Sequence, residues 1–357
     1  MPTVWIILAA VFVALNAGPV VAEQHLPTAN RQAIRLLVSP LQYSAAVAIG
    51  ERVAKKYNLP QPEITSMLAY PAVKAFCAGV GSGTPDVIGL PRQMTRSEYE
   101  RCTEHGVVDI VELRVGFDAL VLVVRKGEAV FNLTPRGIYF AMAAQIPLDD
   151  EFVANDTKLW SDISTRLPNI PIMVYGSDNG TAINNFFKEI FMEGGCRGLR
   201  QFKIFYSSVD RVKTCTTIRE DGRYVGIKAP IAVNFRTLFQ ASPPGSLGVL
   251  PYTVYRRNAE WLQLLPVNNI FPTDETIKND TYEAVFPVRY YVKRKHMERS
   301  LGGTGVVRGL YSFIEELMSE EAIGNGGYLE GYGLVVDDPV DRQNDRESAM
   351  RLQPYRR

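Results

Sequence analysis

Four short segments of the 357-residue sequence carry residue types suited to holding an oxyanion: Ser39–Tyr43, Ser66–Pro71, Leu90–Gln93 and Ser177–Thr181. Each separates an apolar, extended run from a stretch with helical periodicity. In an α/β sheet such strand-to-helix junctions lie on one side, where ligands bind. Where the junction opens a helix, free N–H groups and the positive end of the helix dipole favour an anion. No metal is needed for that chemistry. The candidate contacts are Ser39, Tyr43, Tyr70, Arg92, Ser177, Asp178, Asn179, Gly180 and Thr181. Gln42 and Tyr175 add neutral hydrogen-bonding groups and an aromatic face. Plainer roles compete: Arg92 as an ion-pair residue, Asn179 as a helix N-cap, Ser39 before Pro40 as a turn residue and Tyr70 as a core residue. Catalytic signatures are missing from the sequence. It has no Gly-x-Ser-x-Gly, and His25, His105 and His296 do not stand at metal-ligand spacing, so neither a cofactor nor a metal is expected.

The elements that must position these loops alternate along the chain. Extended runs are expected over 34–38, 62–67, 86–90, 172–175 and 247–250, and helices over 43–56, 71–80, 95–105, 131–144, 181–193, 228–240 and 305–318. Two extended stretches are long. Val107–Val124 is β-branched and broken by Gly116, and Tyr282–Lys293 is its counterpart late in the chain. Such strands run from one lobe into another, with the glycine as a flexible point. The pattern predicts an α/β protein of two lobes with mixed sheets flanked by helices and two crossing strands as hinge. Its boundaries fall at 23–115 for the first part of lobe 1, 116–283 for lobe 2 and 284–337 for the second part of lobe 1. Residues 338–357, charged and without apolar period, are expected to form a disordered tail.

Composition sets the compartment. Val4–Val13 is apolar and uncharged, and Val20-Val21-Ala22 fits a small-x-small cleavage site, so residues 1–22 read as a signal peptide. With 39 basic and 38 acidic residues the net charge is +1, which offers no general pull on nucleic acid or on an anionic membrane surface. Cys77, Cys102, Cys196 and Cys215 allow three pairings; in an oxidising compartment the sequence-local one is expected, 77 with 102 and 196 with 215.

Several motifs fit a known family. Phe76-Cys77-Ala78-Gly79-Val80-Gly81, Thr84-Pro85-Asp86-Val87, Arg92-x-Met94-x-x-Ser97-Glu98 and Gly116-Phe117-Asp118 resemble the first lobe of phosphate-specific transport (PstS-type) binding proteins. Met192-Glu193-Gly194-Gly195-Cys196, Ile218-Arg219-Glu220-Asp221-Gly222 and Tyr290-Tyr291-Val292-Lys293 continue the likeness, which runs from about residue 33 to about 337. The resemblance implies the type II two-lobed binding-protein fold and the local disulfides. It also implies a periplasmic, monomeric receptor, not an enzyme, that closes on phosphate or a related oxyanion and docks on an ABC permease. The family's ligand loops are altered, however. The first hydroxyl cluster is Ser39-Pro40-Leu41, the second loop is Ala69-Tyr70-Pro71-Ala72, the third keeps Arg92 after Pro91, and Asn179-Gly180-Thr181 is followed by Ala182. Lost donors weaken the grip on a bare phosphate. The expectation is therefore a larger or different anion, with a ligand-poor sensory or interaction protein as the alternative.

Overall fold

The computed structural model describes residues 31–201, 207–228 and 231–356. The expected leader, residues 1–22, lies outside them. The strands are β1 (Arg35–Val38), β2 (Glu63–Ser66), β3 (Val87–Leu90), β4 (Ile110–Arg125), β5 (Gln145–Leu148), β6 (Glu151–Ala154), β7 (Val174–Ser177), β8 (Tyr224–Ile227), β9 (Leu247–Pro251), β10 (Leu262–Leu265) and β11 (Val285–Lys293). They pair in the order β2-β1-β3-β11-β4-β9-β7-β8, with β10 also on β4 and β5-β6 as a separate hairpin.

One strand joins the two halves. β4 is 16 residues long; its first part pairs with β11, while Leu120–Val123 pair with β9 and Leu122–Arg125 with β10. β11 crosses beside it, and their register shifts between Val288 and Arg289, opposite Gly116 and Arg114. A bulge at that point bends the ladder and increases its twist. The two long strands expected from sequence are therefore the two that cross. Hydrophobic burial follows the same division: one cluster surrounds the β4 end that carries β9 and β10, and two others cover the faces of the β1–β3–β11 sheet.

Local chemistry explains the helices that meet the sheet ends. Tyr43–Tyr57 buries Ala46, Ile49 and Val53 and ends on Asn58 in the left-handed region, with Lys55 and Lys56 in its last turn. Arg96–Glu104 opens on a full capping box between Thr95 and Glu98. Thr181 caps Ala182–Phe187, which continues as the π-helical stretch Lys188–Glu193.

Both local disulfides are present, Cys77–Cys102 and Cys196–Cys215, with sequence separations of 25 and 19. Replacing Cys196 and Cys215 together by alanine is expected to lower unfolding free energy by about 3 kcal/mol, since a loop of this size constrains the unfolded chain by that amount. Urea titration reads the change, and an unmoved midpoint would contradict it.

One expectation needs correction. Residues 338–357 are not a disordered tail: Pro339–Met350 is a helix burying Ala349, with Arg342 5% and Asp345 8% exposed. Arg342 reaches Glu320, Arg114 pairs with Asp345, and Tyr355 packs edge-on against Tyr99 and Tyr291. The apolar period was too sparse to see because this helix docks mainly through ion pairs. The hairpin β5-β6, strands β8 and β10, and the helix Asp274–Lys278 were also not foreseen; each is four or five residues long, too short for a period to register.

Beneath the first lobe, at the sheet end remote from the β1–helix and β3–helix junctions, lies a buried charged network. Asp86 accepts from the Arg31 guanidinium and from Arg35 N–H (2.7 Å), and its other oxygen is 2.6 Å from His296 Nδ1. Gly81 N–H donates to His296 Nε2 at 3.0 Å, which fixes the neutral ring with its proton on Nδ1. Lys293 Nζ donates to Gly79 O and Thr84 Oγ1, both at 2.8 Å, beneath the Phe76 ring. Burial pushes Lys293 down to about 7 and also lowers His296.

Candidate ligand cleft

At the crossing of β4 and β11 a cleft of about 460 Å³ opens between the two halves. The first half contributes Pro40–Ala45 and Ser66–Leu68, the loops after β1 and β2. The second contributes Ser177, Gly180–Ile183, Ile231 and Ala232. The floor comes from the crossing strands and their neighbours: Asp118, Pro251, Thr253, Val254, Phe286 and Val288. Arg257, Tyr332 and Leu334 complete it.

The loops reach the cleft for identifiable reasons. Gln42 turns into the first lobe, where its Nε2 donates to Leu90 O at 3.0 Å; Gly89 admits it, because a Cβ there would stand 2.8 Å from Gln42 Oε1. That Oε1 is buried and has no partner among the described residues. Across the cleft, Gly180 sits at φ +82°, which a glycine adopts without strain. Thr181 then turns the chain into its helix, accepting from Asn184 N–H and donating to Asp178 O.

The candidate contacts divide. Tyr43, Ser177, Gly180 and Thr181 line the cleft; Ser39, Tyr70, Arg92, Asp178 and Asn179 do not. Ser39 is buried, its Oγ accepting from Leu41 N–H at 3.3 Å, so it is the turn residue of the plainer reading. Tyr70 is not a core residue: it is 62% exposed, with Arg101 over its ring. Arg92 is held by both Glu98 oxygens at 2.8 Å, and Glu98 also serves the Thr95 capping box. A guanidinium engaged this way has two fewer donors for a ligand. Asp178 caps its own turn at Asn179 N–H, and Asn179 accepts from Lys188; Thr181, not Asn179, is the helix N-cap. Tyr175 packs against Phe239 in the core.

The floor was missed by sequence reasoning. Asp118 is 2% exposed; its Oδ1 accepts from Ala119 N–H (2.8 Å) and Thr253 N–H (3.2 Å). Burial outweighs those bonds and pushes its carboxyl up to about 7. An acid two residues after Gly116, at the start of the strand's most apolar stretch, was the available signal. Arg257 and Tyr332 carried none: one follows a five-residue helix, and the other lies close to a tail thought to be disordered.

Two halves joined by crossing strands, with a cleft at the crossing lined from both sides, define a two-lobed binding-protein fold. The comparisons agree. Residues 23–321 match the model of the PBP superfamily domain, and the chain belongs to that superfamily. It is 25% identical over 292 residues to Protein SphX of Synechococcus elongatus, covering 78% of this chain and 75% of that protein. Among solved structures it is similar to a possible phosphate binding protein from Planctomyces limnophilus (TM-score 0.61, 19% identity, 90% of this chain and 98% of that one). It is also similar to an ABC-type phosphate transport receptor from Vibrio cholerae (TM-score 0.53, 14% identity, 81% and 95%). At these identities the likeness to solved structures is one of fold.

Proposed function

We propose that this chain is the solute-binding component of an ABC importer in the phosphate and related oxyanion family, and that it binds its solute without transforming it. The observation that carries the reading is the cleft at the crossing of β4 and β11, lined by junction loops of both halves. A ligand touching both sides offsets the cost of closing them and shifts the population from open to closed. On this reading the first lobe is 23–115 with 284–337, onto which the helix Pro339–Met350 docks, and the second is 116–283. The name of the Vibrio cholerae relative supports the importer context. An exported, periplasmic, monomeric protein released from a leader ending at Ala22 and docking on a membrane permease fits this role. Among the described residues no helix is long and apolar enough to cross a membrane.

Small-angle scattering tests the reading. Titration with a panel of inorganic phosphate, sulfate, alkylphosphonates and alkylcarboxylates is expected to reduce the radius of gyration for at least one member. An unchanged radius across the panel would favour the alternative, a ligand-poor homologue acting as a sensory or interaction protein. The altered junction loops, with Leu41, Leu68 and Ala182 at the cleft, are what favour keeping that alternative in view.

A further inference from the structure

Within that receptor reading, on which this inference rests, we propose that the solute is an organic anion with an apolar body, its charged head bound at Arg257. Among the described residues only two side chains lining the cleft are formally charged, Arg257 and Asp118. They are not equivalent. Arg256, next in the chain, faces Asp274 (3.6 Å) and Glu330 (3.4 Å), but no ion pair is formed by Arg257 among the described residues. Its guanidinium instead lies 4.9 Å from the centre of the Tyr332 ring, a contact that places the charge while leaving its donors free. Asp118 gives an oxygen to two backbone N–H groups on the floor and forms no ion pair with Arg257 among the described residues, so the guanidinium stays available to a ligand.

The walls fix the rest of the ligand. Beside the hydroxyls of Ser66, Ser177 and Thr181 the junction loops present Leu41, Leu68 and Ile183, and Phe286, Val288 and Leu334 extend the apolar surface across the floor. Arg92, the cation available from the loops after β1 and β3, is engaged by Glu98. A bare phosphate carries no hydrocarbon to cover these apolar walls and so gains nothing from them. A ligand that covers these walls with hydrocarbon gains about fourfold in affinity for each methylene buried. The cleft volume of about 460 Å³ suits such a molecule, since small-molecule pockets span roughly 300–1,000 Å³.

The test is calorimetry on the full chain with inorganic phosphate and the n-alkylphosphonates from methyl to hexyl, with scattering in parallel. Affinity is expected to rise about fourfold per methylene until the cleft is filled, leaving inorganic phosphate at least about 100-fold weaker than hexylphosphonate. Arg257→Ala is expected to lower hexylphosphonate affinity about tenfold or more, with its thermal melt unchanged, since the side chain is exposed and unpaired. Inorganic phosphate binding as tightly as hexylphosphonate, with closure, would overturn the apolar-body proposal and leave the receptor reading standing. Affinity independent of chain length, or an unchanged Arg257→Ala dissociation constant, would overturn it in the same way. Absence of binding and closure with every probe in both panels would remove both readings.

Discussion

Asp86→Ala is expected to cost about 3–5 kcal/mol of stability, the loss typical of removing one partner from a buried ion pair. Asp86 is fully buried and neutralises Arg31, whose side chain is 8% exposed. It also holds the proton-bearing nitrogen of His296 and the backbone N–H of Arg35. Its own backbone ties β1 to β11, donating to Arg35 O and accepting from Lys293 N–H. Alanine keeps those two bonds and deletes only the charge and its acceptors, so the variant isolates the network. Urea unfolding measures the cost; a loss below about 1 kcal/mol would show that the network is dispensable.

The same cluster sets a pH dependence. Lys293 and His296 both have folded pKa values below their unfolded ones, chiefly through burial. Wherever the unfolded chain binds a proton that the native state refuses, stability falls as pH falls. For Lys293 that window runs from about 10.4, the unfolded value, down to about 7. For His296 it begins near the unfolded value of about 6.5 and continues below it. Asp86 opposes both shifts by attracting the charged forms. Asp86→Asn therefore steepens the loss of stability on acidification, and parallel Tm-against-pH curves for the two proteins would contradict this assignment.

Gly116→Val is expected to destabilise the protein by roughly 2–6 kcal/mol, combining backbone strain of about 1–3 with overpacking of about 1–3. Gly116 sits at φ +146°, where a β-branched residue is strained, and a Cβ built there lies 2.4 Å from Val335 O. That oxygen accepts from Phe117 N–H at 2.8 Å, and Val335 N–H returns a bond to Phe117 O at 2.9 Å. The substituted chain must push residues 333–336 off the waist of the molecule. Tyr332 and Leu334, which line the cleft, move with them. The unfolding midpoint should fall and ligand-driven closure should change in the same variant. A midpoint within error of the parent would show that the waist accommodates the side chain.

Legibility in the sequence follows element length and the source of each contact. The crossing strands were readable because β4 runs for 16 residues and announces itself by β-branching around one glycine. Junction loops were readable because Gly180 and the helix starts have chemical signatures. What the loops do was less so. Arg92 looked like a ligand group because nothing at its own position shows that Glu98 takes both its guanidinium arms. Arg257 is separated by 75 positions from the ring that holds it, and a contact of that kind leaves no mark on local pattern. The closing helix Pro339–Met350 was missed because its docking is carried by Arg342 and Asp345, residues that read as solvent-facing until their partners are known.

β11 has a consequence for how the chain comes together. It is the last strand in the sequence, yet it stands in the middle of its sheet, between β3 and β4. Met94 N–H donates to the Tyr291 hydroxyl across 197 residues of chain. During synthesis the first four strands emerge long before the one that joins β3 to β4, and until then two strand edges lie open to any other extended segment. A chain stalled or truncated before residue 285 keeps that gap for its lifetime. The interval between the appearance of β4 and that of β11 is therefore the stage at which nascent copies of this protein are most exposed to one another and most in need of a holding chaperone.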